Sequence, residues 1–143
     1  MNIPRVVIDT NVLIAALRSR RGASSRLLQL LGTNLFDIHL SVAMVLEYEY
    51  VILRQRNLLG LSQEDVDSFI DAVCAVGVHQ NEIHFRWRPQ LRDADDEFVL
   101  EAAIAGQCRY IVTFNVRDFV GVRRFGIEPI TPAEFLKRLG VDE

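Results

Sequence analysis

The chain has 143 residues, of which 50% are hydrophobic and 24% are charged, and its formal net charge is -3. This length and composition favour a single domain, residues 1–143, with one sizeable core. The net charge is not the basic one that nucleic-acid-binding domains often carry, and no apolar run approaches the roughly 18 residues of a membrane span. The first residues show no basic leader followed by a long apolar run, so we expect a cytoplasmic protein without a membrane segment.

Cysteine and histidine, the side chains of most disulfide frameworks and zinc sites, are scarce. Cys74 and Cys108 occur without a CxxC motif or a paired Cys/His spacing. The sequence therefore predicts buried thiols rather than a disulfide framework or a zinc site. The histidines are dispersed and are expected to be structural; they are His39, His79 and His84.

The amino-terminal half alternates strand and helix patterns. The run from Arg5 to Asp9 is short, apolar and rich in β-branched residues, which is typical of a buried strand. Asp9 to Asn11 can then cap a helix over about 12–17. Further along, the patterns predict in order a helix over 24–31, a strand over 36–40, a helix from the Ser41 cap to about Arg54, and a helix from Ser62 to Gly77.

The carboxyl-terminal half continues this alternation. Residues 78–87 are expected to form short extended pieces, an acidic start over 92–97 leads into a helix over 98–105, and 110–113 is a β-prone strand. Pro129 confines a strand over 127–130 to a sheet edge, and Thr131 with Pro132 begins a last helix to about Leu139. This order predicts an α/β fold in which helices cover both faces of a mostly parallel sheet.

Polar residues lie at the strand ends beyond which such a sheet binds its ligands. Asp9 and Asn115 each follow the carboxyl end of a strand, and ligands of open α/β sheets bind beyond these ends. Taken alone, Asp9 is equally explained as a helix N-cap, Glu47 as an exposed helical acid, and the acids at 93, 95 and 96 as a helix start. The expected topology, however, brings Asp9 and Asp96 toward one rim, where converging carboxylates need a counter-ion.

A divalent metal ion meets that need. Mg²⁺ and Mn²⁺ prefer carboxylate and water oxygens, and they commonly bind substrate phosphates. One ion lowers the pKa of a bound water, and a second ion about 3.5 to 4 Å away stabilises the leaving oxygen. The carboxylate pattern therefore indicates metal-dependent phosphodiester hydrolysis without a protein nucleophile.

Four segments in this order resemble PIN-domain proteins, and in particular the toxins of bacterial and archaeal type II toxin–antitoxin systems. They are Val6 to Leu13, Ser41 to Arg54, Asp93 to Phe98 and Tyr110 to Phe119, and the resemblance covers nearly the whole chain. It implies a three-layer α/β/α sandwich with a mostly parallel sheet. It also implies a Mg²⁺- or Mn²⁺-dependent endoribonuclease that cuts RNA, forms a homodimer and is blocked by a small cognate antitoxin.

The resemblance also assigns the acids of the site. Asp9 corresponds to the first acid of the family, Glu47 to the second and Asp96 to the third. Some relatives have an aspartate in place of Asn115, whereas others pair an asparagine there with an acid just before the next phenylalanine, where this chain has Asp118. The resemblance thus implies Asp118 as a fourth, outer ligand and Asn115 as a polar orienting group.

Short polar side chains near these acids are candidates for orienting them or a metal-bound water. They are Thr10, Asn11, Thr113, Asn115 and Asp93. Capping explains Thr10 equally well, and the electrostatics of a helix start explain Asp93 better.

Arginine supplies nearly all of the positive charge, since Lys137 is the only lysine. Arginine is the better phosphate ligand, although a GC-rich genome also produces an arginine bias. Arg117 lies on the acidic rim and is the strongest candidate to bind an RNA phosphate. The loop that begins at Arg18 supplies the other candidates, which are Arg18, Arg20 and Arg21.

Two other functions fit parts of the sequence. A catalytically silent PIN-like fold that binds RNA or protein is one, because Asn115 stands where an acid is often found. An aspartyl-phosphate phosphatase is the other, with Asp9 as nucleophile. That chemistry needs a second acid two residues on, where Asn11 stands, and Lys137 lies in the last predicted helix. Cleavage of pooled RNA after Mn²⁺ or Mg²⁺ is added separates the nuclease from both alternatives.

Overall fold

The computed structural model describes residues 3–80 and 96–141. Most of the extended pieces expected over 78–87, together with His84 and Asp93, lie outside the described residues. None of the helices within the described ranges is long and apolar enough to cross a membrane.

A five-stranded sheet forms the centre of the molecule. Its strands are β1 (Arg5–Ile8), β2 (Asp37–Ser41), β3 (Val78–Gln80), β4 (Tyr110–Val112) and β5 (Glu128–Ile130). The strand order is β3-β2-β1-β4-β5, and all neighbouring strands run parallel. The expected three-layer α/β/α fold with a parallel sheet is therefore confirmed.

Helices connect the strands, as parallel pairing requires. They are α1 (Thr10–Arg18), α2 (Ala23–Gln29), α3 (Val42–Leu59), α4 (Gln63–Val76), α5 (Glu97–Ala105), α6 (Pro132–Arg138) and a 3₁₀ helix (Val116–Phe125). Helix α3 continues well beyond the expected end near Arg54, because no helix-breaking residue occurs before Gly60. Gly60 has a φ of 70°, and this left-handed conformation ends the helix.

Side-chain caps fix where several helices begin. The Ser41 Oγ accepts a hydrogen bond from the Met44 backbone N–H at 3.2 Å. At the start of α4, Ser62 and Asp65 form a reciprocal capping box, with distances of 2.9 and 3.1 Å. These caps satisfy backbone N–H groups that have no partner within the helix, and they confirm the helix starts that the sequence predicted at these positions.

The 3₁₀ helix was not expected from the sequence. Its buried residues, Phe119 and Val122, are three positions apart, which places both on one face of a helix with three residues per turn. Such a segment has no 3.6-residue apolar period, so the periodicity that reveals α-helices does not reveal it. It positions the region that follows β4 against the sheet.

The central strand β1 defines the switch point of the topology. The side chains of Val6, Val7 and Ile8 are fully buried, and β1 pairs with β2 on one side and with β4 on the other. From β1 the chain proceeds through β2 to β3, and it returns to the other side of β1 for β4 and β5. Ligand sites of open α/β sheets form at such a reversal, beyond the carboxyl ends of the strands.

Candidate functional site

A cleft of ≈ 570 Å³ lies at this switch point. Its lining comes from α1, α3, the residue that precedes α5 and the residues that follow β4. The polar side chains nearest the strand ends are Asp9, Thr10, Asn11, Asp96 and Asn115, and those farther along α1 and α3 are Arg18 and Gln55. The cleft volume lies within the range of about 300–1,000 Å³ that is typical of ligand sites.

Asp9 is the most constrained acid of the cleft. It follows β1 directly, and only 8% of the residue is exposed. Its Oδ1 accepts a hydrogen bond from the Thr10 backbone N–H at 2.9 Å, and its Oδ2 accepts one from the Thr113 hydroxyl at 2.7 Å. Both carboxylate oxygens are therefore held in fixed directions at the edge of the sheet.

Burial acts against the charged form of Asp9. Loss of solvent raises the pKa of this carboxyl above its usual range, and the hydrogen bonds from Thr113 and Thr10 lower it only in part. A cation next to the carboxylate would favour the ionised form. Asp9 is thus a carboxylate whose surroundings suit a metal ligand.

Thr113 links the two strand ends that form the cleft. This residue is fully buried, and its hydroxyl oxygen accepts a hydrogen bond from the Asn115 backbone N–H at 3.0 Å while it donates to Asp9. One side chain therefore sets the direction of the Asp9 carboxylate and the path of the backbone that carries Asn115.

Asn11 contributes an oxygen that lacks a partner. It lies in the first turn of α1 and lines the cleft. Its Oδ1 atom is buried and has no hydrogen-bond partner among the residues that the structure describes. A buried carbonyl oxygen normally has a donor or a cation nearby, so this atom is a further candidate to contact an ion.

Asp96 reaches the same cleft from a distant part of the sequence. It is half-buried, occupies the N-cap position of α5 and lines the cleft together with Asp9. The structure therefore brings together two of the acids on which the sequence analysis relied, along with the amides of Asn11 and Asn115.

Two other expected ligands are not among the residues that line the cleft. Glu47 is half-buried on α3, one turn before Val51, which does line the cleft. Asp118 is exposed on the 3₁₀ helix, where its backbone N–H donates to the Asn115 carbonyl oxygen at 2.9 Å. Within 3–80 and 96–141, no group of three or more His, Cys, Asp and Glu side chains is arranged to hold a metal ion.

Only one of the arginines expected to bind phosphate lines the cleft. This residue is Arg18, at the last position of α1. Arg117 is exposed in the first turn of the 3₁₀ helix, two residues after Asn115, and Arg20 and Arg21 are exposed in the loop that follows α1. The cleft thus has acids at one end and a cation at the other.

Two residues that the sequence analysis did not single out shape this site. Tyr48 is fully buried on α3, and its hydroxyl donates a short hydrogen bond to the Ile8 carbonyl oxygen. Burial and the nearby Asp9 charge raise the pKa of Tyr48. Phe114 lines the cleft although 48% of it is exposed. The only sequence signal for Phe114 was its position between strand β4 and Asn115. No sequence signal pointed to a role for Tyr48.

A second cavity, of ≈ 950 Å³, lies at the opposite edge of the sheet. Its lining includes Arg5, Asp37, Arg109 and Arg138, and Arg138 forms a paired contact with Glu128 at 3.0 and 3.3 Å. The cavity is larger than the cleft, but it lies at the amino ends of the strands and contains one acid. The carboxyl-end cleft is therefore the stronger candidate for metal chemistry.

Comparisons with known proteins agree with this fold. A family model described as "PIN domain" matches residues 5–117. The fold is similar to a chain in the crystal structure of VapBC2 from Rickettsia felis bound to a DNA fragment from their promoter, with a TM-score of 0.62 and 17% sequence identity. The match covers 89% of this chain and 98% of the other. No curated protein matches the sequence.

Proposed function

Because the chain belongs to the PIN domain family, we propose that it is an endoribonuclease that uses Mg²⁺ or Mn²⁺. In this proposal Asp9 and Asp96 are the principal metal ligands. Glu47 and Asp118 complete the set, either directly or through water. Asn115 and Asn11 orient the ligands or a water molecule.

The observation that carries the proposal is the position of Asp9 and Asp96 in one cleft at the switch point of the sheet. They come from distant parts of the sequence, so helix capping at each residue separately does not account for their meeting. The cleft offers carboxylate and amide oxygens, and these are the donors that Mg²⁺ and Mn²⁺ prefer. The unpartnered Oδ1 of Asn11 adds an oxygen of the same type.

A bound ion of this kind supplies an activated water and stabilises the leaving oxygen of a phosphodiester. The residues of the chain prepare the site for that chemistry. Thr113 fixes the orientation of the Asp9 carboxylate through its 2.7 Å hydrogen bond. In this proposal Arg18, which lines the cleft, and Arg117, which does not, bind RNA phosphates, since arginine pairs well with phosphate oxygens.

The proposal extends to partners. We infer that the chain is the toxin of a type II toxin–antitoxin pair, that it acts in the cytoplasm and that it forms a homodimer. The structural neighbour is part of a VapBC2 assembly, which favours this assignment. Helix α3 also exposes an apolar row at four-residue spacing, formed by Val42, Leu46 and Tyr50, each at least 58% exposed. Such a surface favours contact with another protein.

A second function has support of its own. A catalytically silent RNA-binding or protein-binding module is favoured by the arrangement of the acids, because Glu47 and Asp118 do not line the cleft. The phosphatase alternative gains no support. Asn11 lines the cleft where a second acid would be needed, and Lys137 is on α6 and does not line the cleft.

Cleavage of RNA tests the proposal directly. The protein is stripped of metal with a chelator, and pooled single-stranded RNA is added with Mn²⁺, Mg²⁺ or neither. We expect cleavage only with metal. An Asp9→Asn/Asp96→Asn double variant, purified in parallel, controls for contaminating ribonuclease. RNA that is bound but remains intact under every metal condition, with full-length protein and no antitoxin present, would establish the binding-module function instead.

A further inference from the structure

Phe114 is not among the residues that form the hydrophobic core. The strand before it is fully packed, since Tyr110, Ile111 and Val112 are at most 5% exposed, whereas Phe114 is 48% exposed. Its ring lines the cleft that also contains Asp9 and Asp96. An aromatic ring that is half exposed to water beside carboxylates gives up about half of the stabilisation that full burial would provide.

The backbone on both sides of Phe114 is fixed. The Thr113 hydroxyl donates to the Asp9 carboxylate at 2.7 Å and accepts from the Asn115 backbone N–H at 3.0 Å. The Thr113 backbone N–H also donates to the Ile130 carbonyl oxygen at 2.9 Å. The ring therefore projects from a rigid turn, and a ligand that binds it need not order this part of the backbone.

The side chains around the ring match one ligand chemistry. The cleft combines the Phe114 ring with the amides of Asn11, Gln55 and Asn115. Proteins that bind single-stranded RNA stack unpaired bases on aromatic rings and hydrogen-bond the base edges with polar side chains. The carboxylates of Asp9 and Asp96 repel RNA phosphates in the absence of metal. A flat, uncharged base is therefore a better partner for the Phe114 ring than the RNA backbone is.

We propose that Phe114 is the stacking platform for one unpaired base of the RNA that binds in the cleft. This inference rests on the RNA binding that the proposed function requires, and not on cleavage. Helix α1 carries the cleft from Asn11 to Arg18, a distance of about 10 Å at 1.5 Å per residue. The strand would continue from Phe114 toward Arg18, where a phosphate meets the cation.

The test compares variants of Phe114 on a short single-stranded RNA of fixed sequence. Phe114→Ala is expected to raise KM by about 5- to 150-fold, the range that loss of one stacked base produces. Phe114→Trp is expected to retain binding, and Phe114→Leu, which is apolar but has no ring, is expected to behave like Phe114→Ala. Phe125→Ala is the matched control, because Phe125 is also a partly exposed phenylalanine but does not line the cleft.

A second arm identifies the base. RNAs with an abasic site at one position each are assayed with the wild-type protein and with Phe114→Ala. One abasic position should weaken binding to the wild-type protein and have no further effect on the variant. This non-additive result is specific for stacking. Misfolding of the variant would instead weaken the binding of all RNAs equally, and a thermal melt of the variant checks for misfolding.

The two proposals fail in different ways. If the protein cuts RNA and Phe114→Ala or Phe114→Leu cuts it with unchanged KM, the stacking inference is overturned and the nuclease stands. If the protein binds RNA with the predicted abasic pattern but never cuts it, the stacking inference stands and the nuclease is overturned. If every abasic position affects the wild type and the variant equally, Phe114 contacts no base and the inference is overturned.

Discussion

The Thr113 hydroxyl donates a 2.7 Å hydrogen bond to the Asp9 carboxylate across 104 positions of the sequence. The bond joins the carboxyl ends of β1 and β4, the two strands between which the strand order reverses. It fixes one oxygen of Asp9, and the Thr10 backbone N–H fixes the other. The direction of the acid is thus set before any ion or RNA arrives.

Thr113→Val should weaken metal binding without unfolding the protein. Valine has nearly the same shape but cannot donate to Asp9, and loss of such an orienting hydrogen bond typically lowers metal affinity by about 10- to 100-fold. Thr113→Ser keeps the hydroxyl and should bind metal more tightly than Thr113→Val. Titration calorimetry with Mn²⁺ measures the affinities. Equal affinity of wild type and Thr113→Val would show that the bond does not orient a ligand.

Asp9→Asn should abolish cleavage and raise the melting temperature of the metal-free protein at pH 7. Burial raises the pKa of the Asp9 carboxyl in the folded state, so the ionised form is less favourable in the folded protein than in the unfolded one. Stability is therefore lost as the pH rises through the folded-state pKa. Asparagine carries no charge and escapes this loss.

The pH dependence of this difference is the measurement. The gap in melting temperature between Asp9→Asn and wild type should be widest at neutral pH. It should close as the pH falls below 3.8, the ordinary pKa of the group, where both side chains are neutral. Added Mn²⁺ should stabilise the wild type and have little effect on the variant. If the difference in melting temperature does not change between pH 7 and pH 3, burial of the ionised Asp9 carboxylate is not its cause.

The contributions of Glu47 and Asp118 to metal binding can be measured separately by titration calorimetry with Mn²⁺. Glu47 lies one turn before the cleft-lining Val51, and Asp118 lies on the exposed 3₁₀ helix. If both are ligands, Glu47→Gln and Asp118→Asn should each weaken Mn²⁺ binding. Glu49→Gln, on the same helix α3, is the control and should bind as the wild type does. Unchanged affinity in Asp118→Asn would remove Asp118 from the metal site.

The sequence contained local information on the site but little on how its parts meet. Asp9 after a β-branched run and Ser62 before an acidic turn are local signals, and the structure has a helix start at both positions. The meeting of Asp9 and Asp96 depends on strand order, which the alternation of strands and helices predicted in outline. The direction in which the Glu47 side chain points depends on the rotation of α3, and α3 has apolar residues on several faces, so its pattern does not define the face that packs inward.

The role of Tyr48 was hidden for a physical reason as well. A tyrosine on a helix occurs both in cores and on surfaces, and Tyr50, two residues after Tyr48 on α3, is exposed. The acceptor of the Tyr48 hydroxyl is a backbone carbonyl, that of Ile8. Every residue before the helix offers such a carbonyl, so no residue type in the sequence marks the partner.

Tyr48→Phe should therefore destabilise the protein and weaken metal binding together. The change removes the hydrogen bond from α3 to the residue just before Asp9 and leaves the buried Ile8 carbonyl without this donor, which typically costs about 1–3 kcal/mol of unfolding free energy. Because Ile8 precedes Asp9, the loosened strand end should also lower the Mn²⁺ affinity. Urea unfolding and calorimetry measure the two effects. Tyr50→Phe is the matched control, since the exposed Tyr50 hydroxyl should contribute to neither. A loss of stability with unchanged Mn²⁺ affinity would show that Tyr48 supports the fold without positioning Asp9.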